Sequence, residues 1–534
     1  MKKQSNFEQL ITELKGILED QGQISKNSWD QLARKYSRKD KQTPSKNAVI
    51  EYIKKHDIEI DDYLLKEIQM KPTRTISGVA PITIFTKPYK CSGNCIFCPT
   101  NKSTPKSYLP EEPGIQRALH FNYTPYEQVE GRIKSVEMIG HNANKIELII
   151  SGGTWDDYSR NYQIWYMLEV FRALNKLSSQ KYSSKRNYKS NKYLKKLKDL
   201  QEKNKKSKHR SVGISIETRP DKLNYENITW YRRFGFTKIQ VGVQTLDNEI
   251  LKLNNRKHTL EQTKKGINLL RLAGFKIHIH WMCNLYGSNP KIDYQDFKKI
   301  FSDKNIKPDE IKIYPCSIIK GTELFKLFQE GKYTPYSSQE LIDLLTKCKE
   351  QIPKYCRVNR LIRDIPSNLI VEGNKITNLR QHVQKNMYLK GKKCQCIRCR
   401  EIKDKEQKDL RIETHRYKTN ISQEYFIEYV TSEDKIAAFL RLSIYQNKAS
   451  EFTNTKAMIR ELHVYGQVME FQNKSSYSSQ HKGLGTKLLM KAEKIAKKNK
   501  AKSMAVIAAV GTRSYYIKRG YNEINDLGYL IKQL

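Results

Sequence analysis

The chain has 534 residues, with 98 Lys plus Arg against 56 Asp plus Glu, a formal charge of +42. Its 38% hydrophobic and 10% aromatic content supports several buried cores and excludes a disordered or fibrous chain. Roughly three or four domains fit the length. No run approaches the roughly 18 apolar residues of a spanning helix, and the start MKKQSNFEQLITELKG has no apolar signal core. No membrane partner is expected, and a soluble chain of the cytoplasm or nucleus is.

Residues 1–70 carry apolar positions at helical spacing (Leu10, Ile11, Leu14, Ile17, Leu18, then Val49, Ile50, Tyr52, Ile53) in a basic background, which predicts a small helical domain. From Pro81 the pattern becomes short β-branched runs alternating with amphipathic helices. The runs are PITIFTK, KIELIIS, VGISIET, KIQVGVQ, KIHIHWM, EIKIYPC and CRVNRLI. Such alternation predicts an α/β fold with a partial or complete TIM-type barrel of about six βα units over 71–390, its site at the strand C-termini. Inside it, Lys181–Arg210 packs about fourteen basic residues against two acidic ones and reads as an exposed basic insertion at about 178–210. Composition drift toward Lys, Asn, Ile and Tyr competes with a polyanion partner as the source of the charge. A Cys-rich connector over 391–415 leads to an α+β domain over 416–534 with several antiparallel strands and one helix opened by glycine.

The ten cysteines include two tight triplets, which in a reducing compartment point to metal rather than disulfides. Cys91, Cys95 and Cys98 have C-x3-C-x2-C spacing directly after the first barrel strand. Three thiolates there hold three irons of a 4Fe-4S cluster and leave the fourth open, the arrangement that radical S-adenosylmethionine (SAM) enzymes use. A zinc knuckle is the competing reading, but no further Cys or His follows closely until His120. Gly152, Gly153 and Thr154 follow the second strand, where glycines let backbone approach a ligand, and Glu217 and Arg219 follow the third. Cys394, Cys396 and Cys399 form a C-x-C-x2-C zinc candidate, with His415 or His382 as fourth ligand.

In the last domain Gln480-His-Lys-Gly483-Leu-Gly485 opens a helix after the strand ending ELHVYG, so backbone N–H groups point at a pyrophosphate. With the strand AVIAAVG and the pair Tyr515 and Tyr516 it resembles the acyl-CoA site of GNAT acetyltransferases. Glu461 is the strand carboxylate placed to deprotonate an amine, with a structural role as the alternative. His278 and His280 alternate on one strand, share a face, and read as a satisfied core pair.

The combination, with KPTRTISGVA, YTPYEQVEGRI, IELIISGGT, GISIETRPD, NRKHTLEQT, RELHVYG and GTRSYY, resembles the catalytic subunit of Elongator, a tRNA-modifying radical SAM acetyltransferase family, from about Lys71 to the C-terminus. The resemblance implies carboxymethylation of carbon 5 of the tRNA wobble uridine, with acetyl-CoA as cosubstrate. It also implies tRNA anticodon-arm binding and, as protein partners, other Elongator subunits or a second copy of the chain. By motif it assigns Lys145 to acetyl-CoA binding, Glu461, Leu462, His463 and Val464 to a strand contact with acetyl-CoA, Leu484, Gly485 and Thr486 to the pyrophosphate, and Tyr516 to a place near the thioester. Pro99-Thr100-Asn101 departs from the Pro-Gly-Gly expected after the third cysteine. The N-terminal helices and the insertion, with Tyr182, Tyr188 and Tyr193 among its lysines, are expected to contact RNA by phosphate pairing and base stacking. The rival expectation is a protein lysine acetyltransferase with the iron–sulfur barrel as scaffold, which would tolerate loss of Cys98.

Overall fold

The computed structural model describes residues 6–37, 43–60, 62–70, 75, 77–402, 409–446, 449–465, 483–523 and 527–534. Helices α1 (Asn6–Gln21), α2 (Lys26–Lys35), α3 (Lys46–Lys55) and α4 (Asp62–Ile68) bury one apolar face each, and Leu10, Leu14, Val49, Ile50 and Ile68 share a core. Ser25 and Ser45 cap α2 and α3 by accepting from the backbone N–H of Ser28 and Ala48. Among the described residues no helix is long and apolar enough to cross a membrane.

The expected β-branched runs become β1 (Ala80–Phe85), β2 (Lys145–Ser151), β3 (Arg210–Thr218), β4 (Lys238–Gln244), β5 (Lys276–Cys283), β6 (Glu310–Pro315) and, past a two-residue β7 (Ile318–Ile319), β8 (Arg357–Arg360). They pair in parallel in the order β1-β2-β3-β4-β5-β6-β8. β7 pairs instead with β9 (Ile370–Glu372). No pairing joins β1 to β8 among the described residues, so the barrel is partial and has a lateral seam. Ile82, Ile84, Ile146, Leu148, Ile239, Ile277 and Ile311 pack outward against the covering helices.

The insertion is not a solvated tail. It folds as a helix, Asn191–Asn204, whose Leu197 and Leu200 are buried against the helix Arg160–Leu174. Tyr188 is 2% exposed, and Tyr182 stacks on it and meets Trp165 edge to face, so these rings pack internally rather than standing free for bases. Lys185, Lys189, Lys192, Lys195 and Lys203 remain exposed on the outer face. Burying Tyr188 and half-burying Tyr182 and Tyr193 outweighs leaving the lysine-rich segment in water.

The C-terminal sheet has β10 (Arg411–Lys418), β11 (Ser422–Val430), β12 (Ile436–Tyr445), β13 (Ala457–Val464), β14 (Ser503–Val506), β15 (Asn522–Glu523) and β16 (Leu530–Gln533). Their order is β10-β11-β12-β13-β14-β16-β15, antiparallel except for β13 with β14. The connector expected to end at 415 therefore already runs into β10. Tyr425, Ile427, Leu440 and Leu442 face the helix Leu484–Lys498, whereas Phe426, Phe439, Tyr445 and Met458 join the barrel core. β12 is consequently buried along its whole length.

Charge spans the same junction. Asp309, just before β6, takes both Arg460 guanidinium nitrogens at 2.6 and 2.7 Å, and Arg460 also holds Glu424 at 2.8 Å. Arg441 bridges Asp309 and Glu461, and Lys276 pairs with Glu461 at 2.5 Å. Burial alone would raise the Asp309 carboxyl, but Arg460 and Arg441 override it and hold it well below the usual carboxylate range. Removing one member of such a buried pair leaves an uncompensated charge, so Asp309→Asn is expected to lose about 3–5 kcal/mol in denaturant unfolding at pH 7. The folded carboxyl titrates below its unfolded value, so its stabilisation is present above pH ~4 and lost as pH falls through the folded pKa. The variant should show a shallower acid limb than wild type.

Candidate functional site

One cavity of about 1580 Å³ runs from the strand C-termini through the barrel to the C-terminal sheet. Cys91, Cys95 and Cys98 line its upper mouth, and the Arg256 guanidinium lies 3.2 Å from Cys95 Sγ. Arg219, bidentate to Asp221, reaches Ser92 Oγ at 3.2 Å. Burial pushes the Cys98 thiol up to about 11, so its ionisation needs a cationic partner. Three thiols flanked by two guanidiniums suit an anionic thiolate cluster. Arg256 escaped the sequence reading because nothing in its local pattern links it to a cysteine 161 positions away.

The turn after β2 has Gly152 at φ 130° and Gly153 at φ 92°, and a side chain at Gly152 would strike Thr86 Oγ1. Gly153 and Thr154 line the cavity, with Thr154 Oγ1 3.6 Å from Cys91 Sγ. Gly152 supplies the turn behind them. Glu217 accepts from Tyr108 (2.9 Å) and Ser151 (3.2 Å) and lies 3.8 Å from Lys312. Asp156, behind this rim, is pushed up to about 6 by burial, although Thr218 and Tyr231 donate to it.

Below the mouth the lumen is polar, where a closed barrel of this type is packed with branched apolar side chains. Lys238 pairs with Glu147 (2.5 Å) and Glu310 (3.4 Å), and Asn359 donates to Glu310 at 2.8 Å. His278 and His280 do share the interior face: His280 Nε2 lies 3.3 Å from Gln240 Oε1, and His278 Nδ1 lies 3.3 Å from Glu310 Oε2 but outside hydrogen-bond geometry, with Nε2 unbonded. The expectation of a satisfied core pair therefore holds for His280 and only in part for His278. Burial pushes both imidazoles well below their usual range.

At the lower end Lys145 and Arg210 meet the C-terminal sheet, and burial followed by Arg210 lowers the Lys145 pKa. Glu461, Leu462, His463, Val464, Gly485, Thr486 and Tyr516 all line this end. Leu484 instead packs into the second core, leaving only its backbone on the turn. Gly483 starts the helix at φ 119° with no side chain capping its N–H groups. Gln480 lies outside the described residues. Tyr515, which the sequence reading passed over for Tyr516, has the hydroxyl without a partner and its ring 3.6 Å from the Arg519 guanidinium. Lys276 and Arg441 hold the Glu461 carboxylate down against its burial, so it is not a free base.

The second triplet brings Cys394, Cys396 and Cys399 within 4.8 Å of one another, pinned to the residue before β8 by a bond from Ile397 N–H to Cys356 O. Neither histidine candidate joins this group, and His415 is committed to Glu428 at 2.8 Å. Hydrogen bonds from Cys394 and Cys396, then the charges of Lys349 and Arg380, favour the Cys399 thiolate. Lys349 is fully buried with its ammonium unpartnered.

Two family models match the barrel, the Radical SAM superfamily over residues 87–303 and the Radical_SAM C-terminal domain over 308–388. The chain is 37% identical over 499 residues to a tRNA uridine(34) acetyltransferase of Methanocaldococcus jannaschii, covering 90% of this chain and 89% of that one. It is 32% identical over 515 residues to Elongator complex protein 3 of Saccharomyces cerevisiae, covering 92% and 89%. The solved archaeal Methanocaldococcus infernus Elp3 with an N-terminal deletion superposes with TM-score 0.72 at 34% identity, over 86% of this chain and all of that one.

Lys312 offers a direct check of the lumen's electrostatics. Burial lowers its pKa to about 8 against the opposing Glu217 charge. Amine labelling by a small reagent, followed by peptide mass spectrometry across pH, should show Lys312 reacting with a midpoint near pH 8, about two units below surface lysines.

Proposed function

Since the chain belongs to the family of the tRNA uridine(34) acetyltransferases and Elongator complex protein 3, we propose that it installs an acetyl-derived carboxymethyl group at carbon 5 of the wobble uridine of tRNA. Its radical SAM domain implies a 4Fe-4S cluster and SAM, which when bound supply a 5′-deoxyadenosyl radical. Cys91, Cys95 and Cys98 are the ligands for that cluster, with Arg219 and Arg256 offsetting the thiolate charge. Gly153, Thr154 and Glu217 form the adjoining rim for SAM.

On this reading residues 416–534 form a GNAT domain that binds acetyl-CoA. The uncapped turn Gly483–Thr486 holds the pyrophosphate, Leu462 to Val464 offer a strand edge, and Lys145, Tyr515 and Tyr516 surround the thioester end. The reading rests chiefly on the single cavity that joins the cysteines to Gly485 and Thr486, since a transfer needing both cofactors needs one shared space. The α1–α4 bundle and the outer lysines of the insertion helix supply phosphate contacts to the anticodon arm. Protein lysine acetylation is the weaker alternative, because the carboxylate that would serve as its base is paired to Lys276 and Arg441.

The test is anaerobic. Protein with reconstituted cluster is given SAM, reductant, acetyl-CoA and bulk tRNA, and digested nucleosides are analysed by mass spectrometry. Carboxymethyluridine that requires SAM is the expected product, and Cys98→Ser should reduce it below detection. Equal peptide-lysine acetylation by wild type and variant, with no modified uridine, would instead support the scaffold reading.

The Cys394, Cys396 and Cys399 group is proposed to hold structural zinc, with the buried Lys349 charge balancing its thiolates. Metal analysis after removal of iron should find about one zinc per chain, and Cys399→Ser should lose it while retaining the iron–sulfur absorbance.

A further inference from the structure

The two guanidiniums at the cysteine mouth are not equivalent. Arg219 lies against the gap between the first two cysteines: a Cβ on Gly93 would strike its Nη1 at 2.6 Å, and that nitrogen reaches Ser92 Oγ at 3.2 Å. Its charge is already met, because Asp221 accepts from Nε and Nη2 at 2.9 Å each. Asp157, which accepts from the Ser92 N–H at 2.9 Å and from its Oγ at 2.8 Å, is matched in turn by Lys222 at 3.0 Å.

Arg256 has no such carboxylate. Its Nη1 donates to Cys95 Sγ at 3.2 Å and its Nη2 to the Gly242 carbonyl, its buried Nε has no partner, and among the described residues it forms no ion pair. Backbone geometry holds it in place instead. The helix Asn248–Leu253 ends at Asn254, fully buried, whose side chain donates to Ile250 O and Tyr286 O at 2.8 Å each. Asn255 turns the chain at φ 52°, the left-handed position that asparagine tolerates after a helix. The Asn254 carbonyl accepts at 3.3 Å from the N–H of Ile96, the neighbour of Cys95. The segment carrying Arg256 is thus docked on the segment carrying Cys95. Of the other cations at the mouth, Arg363 pairs with Glu112 at 3.6 Å, and Lys106 donates to Thr100 rather than to a sulfur.

We propose that Arg256 sets the reduction potential of the cluster held by Cys91, Cys95 and Cys98, raising it, and that Arg219 does not. Hydrogen bonds to the sulfurs and local net charge are what tune such potentials. One electron from a low-potential donor such as dithionite adds one negative charge to the thiolate-bound group. An uncompensated guanidinium 3.2 Å from one sulfur stabilises that added charge. Arg219 and Asp221 together bring no net charge and do not. The inference rests on the cluster assignment proposed above, and it adds which residue governs how readily the site accepts an electron.

The test is an anaerobic dithionite titration of cluster-reconstituted protein, with the reduced state read by electron paramagnetic resonance and loading by iron content. At the poise that half-reduces wild type, Arg256→Gln and Arg256→Met should each show a reduced-to-oxidised ratio more than about tenfold lower, ~59 mV for one electron. Arg256→Lys, which keeps the charge but not the planar fork, should fall between them and wild type. Changing Arg219→Gln together with Asp221→Asn should move the ratio less than about threefold. A wild-type ratio in either loaded neutral variant of Arg256 would overturn the inference, as would an equal shift in the Arg219 and Asp221 double variant. Failure of both neutral variants to take up iron would make Arg256 a structural residue and overturn it equally. Wild-type protein that takes up no cluster would instead refute the assignment on which the inference depends.

Discussion

The contact of Asp309 with Arg460 fixes where everything else can sit. Asp309 closes the loop that starts β6, and its carboxylate accepts from the backbone N–H of Ile277 on β5 as well as from Arg460 on β13. One buried carboxylate thereby ties two barrel strands to the C-terminal sheet. Around it Arg441, Glu461, Lys276 and Glu310 continue the alternation of sign up into the lumen. Burying so many charges costs several kcal/mol per ion unless each is compensated, and the cost is met only when both units are docked in a single register. The shared cavity follows from that register.

The barrel was legible because its strands are short β-branched runs with glycines and helices at regular spacing, and all seven appear in the expected order. The cysteine mouth was legible for the same reason, since C-x3-C-x2-C after a first strand puts three thiols at one strand end. What could not be read was anything decided by tertiary contact. Tyr188 lies in a lysine-rich stretch that looks solvated, yet it packs between Tyr182 and Tyr193. Arg256 and Tyr515 gain meaning only from neighbours far away in sequence. His278 follows the alternation of a core residue, and periodicity cannot tell a packed interior from a hollow one.

The insertion shows how composition and architecture divide the work. Its inner face holds Leu197, Leu200 and the aromatic group, while Lys205 reaches Glu523 and Arg513 reaches Glu202, bracing the helix against the C-terminal sheet. Its outer face carries the exposed lysines. Charge on that outer face can therefore vary without disturbing the packing beneath.

The unpaired seam between β1 and β8 gives the barrel a side as well as two ends. Arg117 lines the cavity on the β1 side and Arg360 and Arg363 on the β8 side. Side chains span that seam where the backbone does not: Arg363 donates to the Ser107 carbonyl and hydroxyl, pairs with Glu112 at 3.6 Å and lies over the Tyr108 ring. A join made of side chains parts by rotamer changes alone, with no ladder hydrogen bond broken and no rupture of the ion pairs that tie barrel to sheet.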